Sequence, residues 1–241
     1  MENEVKKESK KGLDVPSAII VAGFLIALAI FASTFKGSDY DFNRTKKNTS
    51  KTTTNAVNIN DVSQKDAPYI GEANAPVVLA YWADFQCPFC KKFEKEAMSE
   101  IVENYVKTGK VKIVFKDYAF LGPDSDTAGI TGRAVWELYP EKYWEWREAM
   151  FTAQDEEHGG FGDEISVMKL TIEIPGIDGA KIAQAIKDKN DAYRALMEGD
   201  RAEGANAFGI NGTPAVITGE ELLSGLLPYS AYKEVLDEEL K

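Results

Sequence analysis

The feature that limits the fold most tightly is a nearly continuous apolar run, Val77 to Phe85 (VVLAYWADF), which leads through Gln86 into Cys87-Pro88-Phe89-Cys90. A run of strand length without polar alternation marks a strand buried on both faces. Beyond the cysteines, Phe93, Ala97, Ile101 and Tyr105 recur at helical spacing and Gly109 closes the segment, since glycine readily takes the left-handed conformation that ends a helix. Val111 to Tyr118 (VKIVFKDY) reads as a second strand. The pattern predicts a mixed α/β domain beginning at Ala67.

The two cysteines lie at the strand-to-helix junction. Cys87 is placed at the N-cap and Pro88 at the first helical position, where its missing N–H costs nothing. Unpaired N–H groups and the partial positive charge of a helix N-terminus stabilise a thiolate, which lowers the pKa of Cys87. Cys90 sits one turn along and faces inward, near enough to close a disulfide. The first thiol is then an attacking and leaving group and the second a resolver. Three other uses of such a pair exist: half of a zinc site completed by a second subunit, a static disulfide, or copper delivery. A four-residue loop gains little from closure, and no His or Met near the pair in sequence supplies further copper ligands, His158 being far along the chain. With two cysteines and one histidine, the chain's own Cys and His cannot furnish four zinc ligands. Nothing in the pattern asks for a metal or a cofactor.

The remaining elements follow from breaks and spacing. A helix-forming stretch runs from about Asp124 to Phe208, interrupted at Pro140, at Gly159–Gly162 and at Pro175–Gly179. Pro214–Thr218 and Glu221–Leu226 form a hairpin turning at Gly219, and Ser230–Lys241 is a terminal helix. Gly212-Thr213-Pro214 precedes a strand, where a proline is tolerated if it owes no ladder bond; read alone, it is a trans proline opening an edge strand. Trp82 and Phe85 are expected in the core, Phe89 at the surface. Phe120 belongs with these aromatics as a contributor to an apolar patch near the dithiol. Trp136, Trp144 and Trp146 are read as packing residues, and the acidic runs Asp155–Glu157 and Asp237–Glu239 as solvated faces.

The amino end is a membrane device. Val15 to Phe35 holds 21 residues without a charge, about 31 Å as a helix and so the thickness of a hydrocarbon core. A single-pass signal anchor fits this length. A cleaved signal peptide is the runner-up, with Ala27-Leu28-Ala29 as a cleavage-like site, and a buried core helix the remaining reading. Lysines flank both sides, so charge barely sets the orientation; the short 14-residue tail and the redox chemistry place the bulk of the chain outside the cytoplasm. Residues 36–66 are rich in Thr, Asn, Ser and Lys and read as a flexible linker. They contain two glycosylation sequons, at Asn43 and Asn48. The chain's net charge is −11; residues 1–35 balance at 4 and 4 and the linker carries +2, which leaves −13 on residues 67–241. A domain this acidic lacks the footprint of a nucleic-acid binder.

DFQCPFC at 84–90, FKDY at 115–118, the segment GRAVWELYPEKYWEWREAMF and GINGTPAVITG at 209–219 together resemble the DsbA-like thioredoxin-fold oxidoreductases. The similarity runs from about Pro68 to Lys241. It implies a thioredoxin fold with an inserted helical subdomain at about 124–208, Cys87 as nucleophile, Cys90 as resolving thiol, and a cis peptide bond at Thr213-Pro214 beside the dithiol, where backbone groups pair with an extended substrate. Two departures stand out. Many relatives carry a buried carboxylate six residues before the first cysteine, and that position is Tyr81 here, which leaves the proton acceptor of Cys90 unassigned; Asp84 is expected to point elsewhere. Strong oxidants of the family carry His where Phe89 stands, and its absence implies a less acidic Cys87.

The expected activity is that of a membrane-anchored thiol–disulfide oxidoreductase that introduces disulfides into cysteine-containing exported proteins, reoxidised by a membrane or soluble partner. An extracytoplasmic reductase or isomerase is the alternative within the class. A holdase that uses the apolar patch, with incidental thiols, is the alternative outside it.

Overall fold

The computed structural model describes residues 57–155 and 159–241. The tail 1–14, the apolar segment 15–35, most of the linker with both sequons, and Glu156, Glu157 and His158 lie outside the described residues. Among the described residues, no helix is long and apolar enough to cross a membrane.

Five strands form one mixed sheet: β1 (Tyr69–Ile70), β2 (Val77–Ala83), β3 (Val111–Asp117), β4 (Ala215–Thr218) and β5 (Glu221–Ser224), in the spatial order β1-β3-β2-β4-β5. Strand β2 is central. It pairs in parallel with β3, Tyr81 opposite Phe115, and antiparallel with β4, Tyr81 opposite Val216. β1 and β5 are antiparallel edges. Because side chains alternate along a strand, Leu79, Tyr81 and Ala83 enter one core and Ala80 and Trp82 the other. This explains the unbroken apolar run: both faces of β2 are covered. The strand stops at Ala83, short of Phe85, because Asp84 begins the loop that carries the cysteines, and its C=O accepts from Cys87 N–H at 3.1 Å.

Helix α1 covers 88–106, α-helical at Pro88–Phe93 and Ser99–Ile101 and π-helical at Glu94–Met98 and Val102–Val106. Its Cys90, Phe93, Ala97, Ile101 and Tyr105 are all buried on the side facing the odd residues of β2. Gly109, at φ 72°, turns the chain into β3.

The helical insert consists of α2 (Pro123–Leu138), α3 (Tyr143–Ala153), α4 (Glu164–Glu173) and α5 (Gly179–Phe208), with a kink at Lys189. The breaks fall where the sequence puts them: a short 3-10 turn opens at Pro140, Gly160 and Gly162 take positive φ, and Pro175 with Gly176 precedes α5. Helix α5 returns across the second face of the sheet. Gly204 permits the close approach, since a Cβ there would fall 2.8 Å from the Trp82 indole nitrogen. That nitrogen donates to the Asp200 carbonyl at 3.0 Å. A buried charge cluster joins insert and sheet: Lys116 pairs with Asp200 and, at 2.9 Å, with Glu203, while Arg133 bonds Asp117 at 2.7 Å and also pairs with Asp200. Helix α6 (Tyr229–Glu239) closes the chain against α1 through Tyr232 and Leu236.

Residues 57–66, which composition assigns to the linker, pack on the domain. Val62 is buried, Ile59 N–H donates to the Gly219 carbonyl at 2.8 Å, and Lys116 Nζ donates to the Ser63 carbonyl at 2.9 Å. The short strand β1 lies just beyond and has no counterpart among the sequence expectations.

Candidate active site

Cys87 has extended backbone angles (φ −76°, ψ 118°) and stands at the N-cap of α1, with Pro88 as the first helical residue. Both cysteines are free thiols. Phe89 points into solvent at 53% exposure, whereas Cys90 is fully buried against the sheet. The Thr213-Pro214 peptide bond is cis. This loop faces the cysteines, and the Cys87 thiol donates to the Thr213 carbonyl oxygen at 3.4 Å. The structure thus brings together all six residues singled out from the sequence: Cys87, Pro88, Phe89, Cys90, Thr213 and Pro214.

The two thiols have opposite electrostatics. Cys87 is lowered from 9.0 to about 6. The largest cause is the hydrogen bond its sulfur receives from Cys90; the Thr213 hydroxyl and the backbone N–H groups of Cys90 and Phe89 add to it, against partial desolvation. No imidazole is needed at position 89 for this. Cys90 is pushed well above its ordinary value, first by burial, then by its hydrogen bond to Cys87 and by the charge there. The pair is therefore a thiolate at the helix N-terminus hydrogen-bonded to a more deeply buried thiol, which is the polarity that exchange chemistry needs.

Asp84 is buried but faces away from the thiols. Its carboxylate accepts from the N–H groups of Gln86 (2.8 Å), Phe120 (2.9 Å) and Leu121 (3.1 Å). It ties the active-site loop to the loop that carries Phe120, whose ring is 42% exposed. Trp82 and Phe85 are core residues, as expected, and Trp146 is fully buried with its indole N–H donating to Thr171 Oγ1 at 2.9 Å.

Sequence reasoning missed three residues, all contributed or engaged by the insert. Gln154 Nε2 donates to the carbonyls of Phe85 (2.6 Å) and Cys87 (3.2 Å), clamping the active-site loop from the end of α3. Glu94, one turn beyond Cys90, forms a buried ion pair with Arg147, with Nε to Oε1 at 2.9 Å. Burial raises the Glu94 pKa and Arg147 partly offsets this. The Arg147 guanidinium also lies over four rings: Phe115 at 4.3 Å, Phe151 at 4.9 Å, Tyr81 at 5.1 Å and Phe85 at 5.2 Å. The available signal was a Glu set inside the apolar stripe of α1, between Phe93 and Ala97, and an Arg within the aromatic run YWEWREAMF. Glu94 also lines a cavity of about 520 Å³ beside α1, together with Lys91, Lys95, Glu148 and Phe151. Among the described residues no group of Cys, His, Asp and Glu is arranged to hold a metal ion.

The sequence profile of the family described as thioredoxin matches residues 63–238. Disulfide bond formation protein D of Bacillus subtilis is 25% identical over 186 residues, covering 74% of this chain and 79% of that protein. Among solved structures, oxidised BdbD from Bacillus subtilis aligns at a TM-score of 0.67 with 23% identity, covering 74% of this chain and 95% of its own. The thiol–disulfide exchange protein alpha-DsbA2 from Wolbachia pipientis aligns at 0.63 with 28% identity, covering 71% and 86%.

Proposed function

The chain belongs to the thioredoxin family and is a DsbA-like thiol–disulfide oxidoreductase, and from that premise we propose that it donates its 87–90 disulfide to cysteine-containing exported proteins while tethered to a membrane. The observation that carries the direction of flow is the asymmetry of the thiols. A Cys87 held near 6 stabilises the reduced form, and stabilising the reduced form makes the disulfide a stronger oxidant. A substrate thiolate attacks Cys87 Sγ, the 87–90 bond breaks, and its electron pair leaves on Cys90. A second substrate thiolate then attacks the substrate sulfur of the mixed disulfide and expels the acidic Cys87 thiolate. The substrate is oxidised by two electrons and the enzyme is reduced by two. The cis-Pro loop beside Cys87 supports a role in aligning an extended substrate strand, and the exposed rings of Phe89 and Phe120 offer it apolar contact.

The tether reading rests on the uncharged 21-residue segment 15–35. With it the catalytic domain faces outward, held near a membrane redox partner that reoxidises the dithiol.

The test is the reduction potential of the full-length chain, equilibrated in graded glutathione buffers with mass-shift trapping of free thiols. A disulfide donor gives a value well above the roughly −270 mV of thioredoxin. A value at or below that would assign the chain to the reductases, and the absence of a reversible two-electron transition would overturn both.

A further inference from the structure

Tyr81 is fully buried in β2, and its hydroxyl has no hydrogen-bond partner in the dithiol form. Orphaned buried hydroxyls are costly and call for a reason. Tyr81 belongs to the face of β2 that α1 covers, and its ring meets Phe93 edge-on at 4.8 Å, one helical turn beyond Cys90. Tyr81 and Cys90 lie in the same buried cluster, where a thiolate at Cys90 raises the Tyr81 pKa both by its charge and by accepting a hydrogen bond. In the dithiol form the phenol stays unmatched.

We propose that the Tyr81 hydroxyl is the hydrogen-bond donor held in reserve for the Cys90 thiolate, so that it finds its partner only while the 87–90 disulfide is open and Cys90 carries the charge. The inference rests on the exchange chemistry proposed above. When a thiolate attacks Cys87, the sulfur–sulfur bond breaks, its electron pair moves to Cys90, and the Tyr81 O–H turns to that sulfur. The proton stays on the phenol, since burial, Cys90 and Glu94 all hold the Tyr81 pKa well above its ordinary value and Arg147 only partly offsets them. Tyr81 is thus a donor and not the acid.

The other groups around the two sulfurs are committed. Tyr232, which also senses Cys90, donates to the Gly225 carbonyl at 3.5 Å. Asp84 is occupied by three backbone N–H groups. Arg147 is held by Glu94. Among the described residues two further donors reach Cys90: the Thr213 hydroxyl, which also serves Cys87, and the Asp84 backbone N–H. Tyr81 serves Cys90.

The experiment mixes reduced full-length protein with oxidised glutathione and traps the species by alkylation over a range of pH. The first step forms the Cys87–glutathione disulfide. In the second, the Cys90 thiolate expels glutathione, at a rate that follows Cys90 ionisation. Tyr81→Phe keeps the ring and removes only the donor. The second step is expected to slow about tenfold below its midpoint and the midpoint to rise by about one pH unit, with the first step unchanged. A ring-fluorinated tyrosine at position 81, a stronger donor, should lower the midpoint. An unchanged midpoint in both variants, or equal slowing of both steps, would overturn the proposal. Failure of the unsubstituted protein to form the mixed disulfide at all would instead overturn the exchange reading on which it rests.

Discussion

The Cys87 sulfur lies 3.4 Å from the carbonyl oxygen of Thr213, so two segments 126 residues apart share one thiol. The contact places Cys87 between a helix N-terminus and the cis-Pro loop. Cys87 is acidic there, at about 6 against an ordinary 9.0, chiefly through the hydrogen bond from Cys90 and then those from the Thr213 hydroxyl and the N–H groups of Cys90 and Phe89. A depressed thiol pKa stabilises the folded reduced protein fully above the ordinary value, and that stability is lost as pH falls through the folded one. The reduced form should therefore gain stability relative to the oxidised form, which has no titrating thiol, as pH rises from about 6 to 9.0. Above 9.0 the raised Cys90 works in the opposite sense. Denaturant midpoints of both redox forms across this window check the sign; a constant difference between them would mean that Cys87 ionises as an ordinary thiol.

Thr213→Val separates the hydroxyl from the backbone carbonyl. The Thr213 hydroxyl is buried, has no other partner among the described residues and is a donor to a thiolate at either cysteine, and valine keeps the branched shape without the donor. The Cys87 pKa should rise toward 9.0 and the reduction potential should fall, with thermal stability of the oxidised form unchanged or slightly improved. Thiolate absorbance against pH reads the first effect and glutathione equilibration the second.

What could be read from the sequence follows from how local each feature is. The dithiol, its N-cap placement and Pro88 are encoded within four consecutive residues, with β2 marked by an unbroken apolar run before them and α1 by helical spacing after them. The helical insert is legible because its breaks carry Pro and Gly. The cis geometry of Thr213-Pro214 has no local signature and comes only through resemblance. Strand β1 spans two half-buried residues, too few to show a period, and residues 57–66 are polar enough to pass for linker although Val62 is buried in the domain. The surroundings of Cys90 were illegible for a different reason. Tyr81, Glu94 and Arg147 meet across a strand, a helix and the insert, with Glu94 and Arg147 separated by 53 positions.

Asp84 is a structural residue next to the dithiol. Its carboxylate satisfies three N–H groups at the start of α1 and in the Phe120 loop. Asp84→Ala leaves those donors buried and unpaired, and a cost of about 3 kcal/mol is expected. Because the same carboxylate holds the two loops together, faster hydrogen exchange at the Phe120 and Leu121 amides should accompany the loss. Asp84→Asn, which keeps one acceptor oxygen, should recover part of both. If Asp84→Ala lost exchange activity while its stability and amide protection stayed normal, the carboxylate would belong to the chemistry instead.

The Glu94–Arg147 pair should behave as a buried ion pair enclosed by aromatic rings. Arg147→Met removes the partner and leaves Glu94 desolvated, its pKa already raised by burial, so a loss of about 3–5 kcal/mol is expected. Glu94→Gln leaves the guanidinium over the rings of Phe115, Phe151, Tyr81 and Phe85 and should cost less, because those contacts persist and the amide oxygen still accepts. In the double variant the unpaired carboxylate is gone, so the combined loss should fall short of the sum by more than about 1 kcal/mol. Urea unfolding of the four proteins measures this directly. Strict additivity would mean that the pair does not act as a unit, and that Arg147 is held by its ring contacts alone.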